Sequence, residues 1–140
     1  MIPLTRRTLL LGLALSDLMR RQVRAEPPLS AAARIAIVGA EQLTLAAHAS
    51  IEVLVELPHG GEELPLALTP RIEGAAVELM RGRLLRSDAK RESPTRLHFF
   101  VPVIARSAGT AILRVDLMAY TCDPSCRRSD ASATRVLHVR

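Results

Sequence analysis

From residue 33 onward, hydrophobic and polar positions alternate in short runs that turn residues interrupt. The first run, Arg34-Ile35-Ala36-Ile37-Val38, ends at Gly39. The clearest is residues 50–57, where Ile51, Val53, Val55 and Leu57 share one face and Glu52 and Glu56 the other. A period of two specifies a half-buried strand. Pro58-His59-Gly60-Gly61 supplies the turn that stops it. Residues 64–68 read as an edge strand, because Pro65 has no N–H to give a ladder. Residues 75–81 and 83–86 read as a strand pair around Gly82, with a short helix as the competing reading because Leu79, Arg83 and Arg86 are spaced for one. Residues 87–94 are polar and charged and read as an exposed loop. Residues 95–103 are β-rich, Ser107-Ala108-Gly109 turns the chain, residues 110–120 form the longest expected strand, and residues 132–139 form the last. About seven short strands with no long amphipathic helix predict an all-β chain folded as one antiparallel β-sandwich over residues 33–140.

Composition narrows the picture. Phe99, Phe100 and Tyr120 are the whole aromatic complement, so the core must be aliphatic and no aromatic platform exists for stacking bases or sugars. The chain has 140 residues, enough for one small domain, and 49% of them are hydrophobic, too many for a disordered chain. Its formal charge of +5 depends on the N-terminus. Arg6, Arg7, Arg20, Arg21 and Arg24 lie within residues 1–25, against Asp17 alone. Without that segment, the 19 basic and 14 acidic residues fall to 14 and 13, a near-neutral domain with no basic footprint for nucleic acid.

Residues 1–25 have the layout of a cleavable export signal: a charged start, then the apolar run Leu9-Leu10-Leu11-Gly12-Leu13-Ala14-Leu15. Asp17 and Arg20 break that run well short of the ~20 apolar residues a spanning helix requires, so no permanent membrane anchor is expected. Thr5-Arg6-Arg7-Thr8-Leu9-Leu10 resembles the twin-arginine export motif, and the later arginines fit that route. Val23-Arg24-Ala25 places cleavage after Ala25, leaving residues 26–32 as an extended lead-in. The resemblance implies transit through the twin-arginine translocase and residence in a bacterial periplasm.

The chemistry-bearing segment is Tyr120-Thr121-Cys122-Asp123-Pro124-Ser125-Cys126-Arg127-Arg128. It holds both cysteines on either side of an Asp-Pro-Ser turn. Three readings of Cys122 and Cys126 stay open: a disulfide that pins the turn, a redox-active dithiol, and a metal site. Arg127 and Arg128 would favour thiolate if the pair were reduced. A metal would need His98 or His138 as further ligands. Otherwise His48, His59, His98 and His138 read as ordinary polar residues, since no two lie at ligand spacing, and no metal or cofactor is expected. Gly-x-Ser-x-Gly, His-Glu-x-x-His and a phosphate loop are all missing, and Glu62-Glu63 sits in a turn, so hydrolytic chemistry has no foothold.

The last 45 or so residues carry a resemblance. A Leu97-His98-Phe99-Phe100-Val101-Pro102-Val103 strand, the turn at Ser107-Ala108-Gly109, the long strand into Ala119-Tyr120-Thr121-Cys122, the second cysteine, and the closing Thr134-Arg135-Val136-Leu137-His138-Val139 strand form a pattern. It resembles the immunoglobulin-like N-terminal domain of the thiol:disulfide interchange protein DsbD, and is similar to the C-terminal β-domain of some thioredoxin-like proteins with NHL repeats. The resemblance implies an immunoglobulin-like sandwich and, at Cys122 and Cys126, a pair that shuttles electrons. The residues themselves point first to a periplasmic binding or accessory module without its own catalytic site, working with an unidentified protein partner, and second to thiol-disulfide exchange.

Overall fold

The computed structural model describes residues 32–39, 41–58, 64–122 and 125–140. The signal-peptide assignment with Arg6, Arg7 and Ala25, the 26–32 lead-in apart from residue 32, and His59 lie outside the described residues. Ten strands run in the order β1 (Arg34–Val38), β2 (Gln42–Leu43), β3 (His48–Glu56), β4 (Ala67–Glu73), β5 (Val77–Leu79), β6 (Leu84–Leu85), β7 (Lys90–Ser93), β8 (Arg96–Ala105), β9 (Gly109–Cys122) and β10 (Cys126–Val139), with a 3-10 turn at Arg86–Asp88. The first sheet is ordered β1-β3-β8-β5, with β7 also pairing β8; the second is ordered β2-β10-β9-β4-β6. Pairing is antiparallel throughout except for β2, which lies parallel to β10.

The alternation that specified β3 is realised as drawn: Ile51, Val53, Val55 and Leu57 are all buried. They share one buried cluster with Leu97, Phe99, Val101 and Val103 of the paired strand β8 and with Leu113, Val115 and Leu117 of β9 in the other sheet. The core is aliphatic as expected, with Phe99 the one aromatic among its fully buried side chains. All buried side-chain nitrogen and oxygen atoms of the described residues have hydrogen-bond partners, so the interior carries no polar penalty.

Four local expectations need correction. Within residues 75–86, Val77–Leu79 and Leu84–Leu85 are strands, yet β5 and β6 do not pair with each other: β5 joins β8 in the first sheet and β6 joins β4 in the second. The chain therefore crosses between layers around Gly82 instead of turning back as a hairpin. Within residues 87–94, Lys90–Ser93 forms a strand rather than loop. Its charges disguise it, because charged side chains are how an exposed edge strand avoids pairing with other chains. Residues 64–66 precede the strand expected there, which runs instead from Ala67 to Glu73. Its proline is Pro70, tolerated because β6 covers only Ala67 and Leu68 and leaves the rest of β4 as edge. Finally, β10 starts at Cys126, so β9 and β10 form one hairpin of 14-residue strands.

Candidate functional site

The β9–β10 hairpin is longer than the sheet that supports it. β4 pairs with β9 only from Ile112 to Met118, so Ala119–Cys122 has no strand on its outer side among the described residues. Beyond that point the hairpin is a two-stranded prong. In its register Tyr120 faces Arg128, Thr121 faces Arg127, and Cys122 faces Cys126. Cys122 and Cys126 are joined by a disulfide, with their Cα atoms 3.8 Å apart. The spacing made this pairing legible, because a turn centred between the two cysteines puts them directly opposite each other.

Strand alternation sorts the neighbours of the bridge. Tyr120, Cys122, Cys126, Arg128 and Asp130 fall on the outer face of the second sheet, whereas Thr121 and Arg127 project the other way. Cys126 is exposed and Cys122 half-buried, so an incoming thiolate has its better approach at the Cys126 sulfur. Of the two arginines expected to favour thiolate, Arg127 lies on the opposite face. Arg128 donates from Nε to Asp130 Oδ1 at 2.9 Å, and this bond raises its pKa further above its ordinary value. Asp130 thus offsets the charge that Arg128 brings to the sulfurs.

The metal reading gains nothing from the histidines. His98 sits in the first sheet, and His138 pairs with Thr110 at the far end of the hairpin, roughly 40 Å along the strand from Cys126 at ~3.3 Å per residue. Among the described residues, no group of three or more His, Cys, Asp and Glu converges to hold a metal ion.

A second cluster escaped the sequence reading. On the outer face of the first sheet, His98 Nδ1 lies 2.7 Å from Glu52 Oε1 on β3, and His98 Nε2 lies 2.8 Å from Glu92 Oε2 on β7. Two acceptor oxygens satisfy both ring nitrogens only if both carry protons, so this geometry fits an imidazolium. The Glu92 bond and then the Glu52 bond raise the His98 pKa, while the His98 bond chiefly lowers that of Glu92. The carboxylates approach from opposite edges of the ring, which prevents one ion from touching both and a ring nitrogen together. Phe100 and Lys90 complete a shallow cleft of about 320 Å³ around them. A larger, open cleft of about 650 Å³ lies between the edges of β4 and β5, where Ile72, Val77 and Leu79 are rimmed by Arg71 and the Glu78–Arg106 ion pair.

No protein-family model matches the chain, and no curated protein sequence matches it. Solved structures do. The chain is similar to a crystal structure of native alpha-2-macroglobulin from Escherichia coli, spanning domain MG7 to the C-terminus, with TM-score 0.54 and 13% identity over 80% of this chain and 17% of that one. It is also similar to a cohesin module from a Clostridium perfringens family 33 glycoside hydrolase (TM-score 0.44, 7% identity, 78% and 97% covered) and to murine CRIg (TM-score 0.43, 12% identity, 76% and 98% covered). The chain spans less than a fifth of the alpha-2-macroglobulin chain. The two packed sheets and the likeness to the alpha-2-macroglobulin structure show the fold, an immunoglobulin-like β-sandwich, and nothing about activity. No helix among the described residues is long and apolar enough to cross a membrane.

Proposed function

We propose that this chain is an exported accessory module that binds a partner protein in the periplasm and has no catalytic site of its own, with the β9–β10 prong as its contact. The carrying observation is the prong itself. It extends past its pairing with β4 at Met118, presents a side of Ala119–Cys122 that no strand among the described residues pairs, and is fixed at its end by a disulfide. A rigid extended element docks at a lower ordering cost than a flexible loop. Export by the twin-arginine route, which carries folded proteins, and residence in an oxidising compartment are consistent with the bridge.

The test places a photo-activated cross-linking residue at Thr121 on the prong, and separately at Val136 on the far half of β10, in the exporting cell. The reading expects a discrete adduct from position 121 that is absent from position 136 and weakened by the double change Cys122→Ser, Cys126→Ser. Equal adducts at both positions, or none at 121, would overturn it.

The exposure of Cys126 supports a second reading, thiol-disulfide exchange of the kind the DsbD resemblance implies. A partner thiolate would attack the Cys126 sulfur, giving a mixed disulfide and releasing Cys122 as thiolate. The partner's second thiolate would then displace Cys126, leaving the partner oxidised and this pair reduced by two electrons. Alkylation and mass spectrometry across a glutathione series separate the readings. A bridge that opens near the glutathione potential supports exchange, and one that stays closed to about −300 mV is structural.

A further inference from the structure

From the bridging position of His98 between carboxylates on two flanking strands, we infer that Glu52, His98 and Glu92 form a pH-operated clasp that holds the β7 edge strand on β8 and releases it when His98 loses its proton.

The backbone shows why β7 needs a clasp. Lys90 pairs with His98, Arg91 with Leu97, and Ser93 with Arg96; the register shifts between Arg91 and Ser93, so Glu92 is the bulged residue with no partner of its own. A bulge interrupts the ladder and re-aims the side chain it carries. Here it hands the Glu92 carboxylate to His98, and a four-residue edge strand with an interrupted ladder comes to depend on that side-chain bond. Glu52 anchors the same ring from β3, so one imidazolium stitches three adjacent strands.

The charged and titratable groups around the ring are few. From β3 come Glu52 and, two outward positions further, Glu56. From β7 come Glu92 and Lys90, which sits directly opposite His98. From β8 comes Arg96, 3.5 Å from both Glu56 and Glu92. Arg96 remains beside Glu92 as one cationic neighbour after His98 loses its proton, but Glu92 loses its short bond. A neutral imidazole has a single N–H and serves only one of the two carboxylates. The His98 pKa is raised, so the clasp is fully formed below the ordinary imidazole value of about 6.5 and is lost as pH rises through the higher, folded-state value. Glu92 sets the other limit: its pKa is lowered, so its share is present at neutral pH and lost only as pH falls through that lowered value.

Release has a defined consequence. β5 pairs with β8 from Val103 to Ala105 and β7 pairs with it from Arg96 to His98, which leaves Phe99–Val101 without a strand on that side among the described residues. Detaching β7 extends this notch into a continuous open edge from Arg96 to Val101.

The test is amide hydrogen exchange by NMR on the full chain from pH 5 to pH 9, corrected for intrinsic exchange rates, alongside a titration of the His98 ring. Linkage requires protection of the Lys90–Ser93 amides to fall as His98 deprotonates, by about tenfold for each unit by which the clasp raises its pKa, while amides at Leu113 and Val115 in β9 stay constant. Glu92→Gln should return the His98 titration toward its ordinary value and flatten the pH response of β7. His98→Gln should make β7 protection low and independent of pH. Constant β7 protection while His98 titrates in the native chain, or a His98 pKa unmoved by Glu92→Gln, would overturn the inference.

Discussion

Phe99 and Phe100 are adjacent, chemically identical and on opposite faces of β8, so replacing each by alanine reads the two faces against each other. Phe99 is 0% exposed and Phe100 is 44% exposed. A buried phenylalanine removes roughly 150–250 Å² from water, which at about 25 cal/mol per Å² is worth about 4–6 kcal/mol. That is an upper bound, since denatured chains already bury part of this area. Phe99→Ala should therefore cost about 3–5 kcal/mol including the cavity it leaves. Phe100, about half covered, should cost about 1 kcal/mol.

Equilibrium urea unfolding of the two variants measures the difference, with unchanged slopes showing that midpoints report stability alone. A loss of about 3–5 kcal/mol is a large fraction of the roughly 5–15 kcal/mol of a typical domain, and lowers Tm by roughly 12–20 °C. Costs within about 1 kcal/mol of each other, or a larger cost at Phe100, would mean that β8 is out of register. A one-residue slip exchanges every inward side chain for an outward one.

Gly74 turns the chain from β4 toward β5 at φ +107°, and a Cβ there would meet the Thr110 carbonyl oxygen at 3.3 Å, so Gly74→Ala should cost about 1–3 kcal/mol in thermal or urea unfolding. The double change Cys122→Ser, Cys126→Ser opens a bridge between residues four apart. Loop entropy for so short a closure gives a loss of only about 2 kcal/mol by urea midpoint, with the sandwich still folded by circular dichroism.

The sequence carried the inward faces of β3, β8 and β9 because each is buried on one side only, and one-sided burial writes a period of two. It carried the Cys122–Cys126 pairing because a short turn leaves little choice of register. β7 was illegible for the opposite reason: Lys90, Arg91 and Glu92 protect an edge, and the same charges describe a loop. The partition of β5 and β6 between sheets was illegible too, since strands of three and two residues record their own conformation but not their partner. The clasp was the least visible feature. Its members stand at positions 52, 92 and 98, and they meet through a bulge that no local pattern announces.

A run of contacts at one fixed sequence offset closes the seam between the sheets. Ala33 N–H donates to Ser129 Oγ at 2.8 Å, Arg135 donates to the Gly39 carbonyl at 2.7 Å, and Gln42 pairs with His138; each contact joins residues 96 apart. The first strands thus run parallel to β10 at constant offset, although β1 commits its ladder to β3 and only β2 joins β10. Along β1 the seam is closed by side chains reaching for backbone. Among the described residues Ser129 is the buried polar one, and Ala33 beside it is buried as well. Ser129→Ala leaves that amide without a partner and should cost about 1–3 kcal/mol, whereas Ser132→Ala, exposed on the same strand, should stay within about 0.5 kcal/mol. Hydrogen exchange should place the weakness of the first variant in β1, opening before the core does. If the two serines prove equivalent, Ile35 and Ile37 close the seam by packing alone and the constant offset is a consequence of the sandwich, with no part in holding it shut.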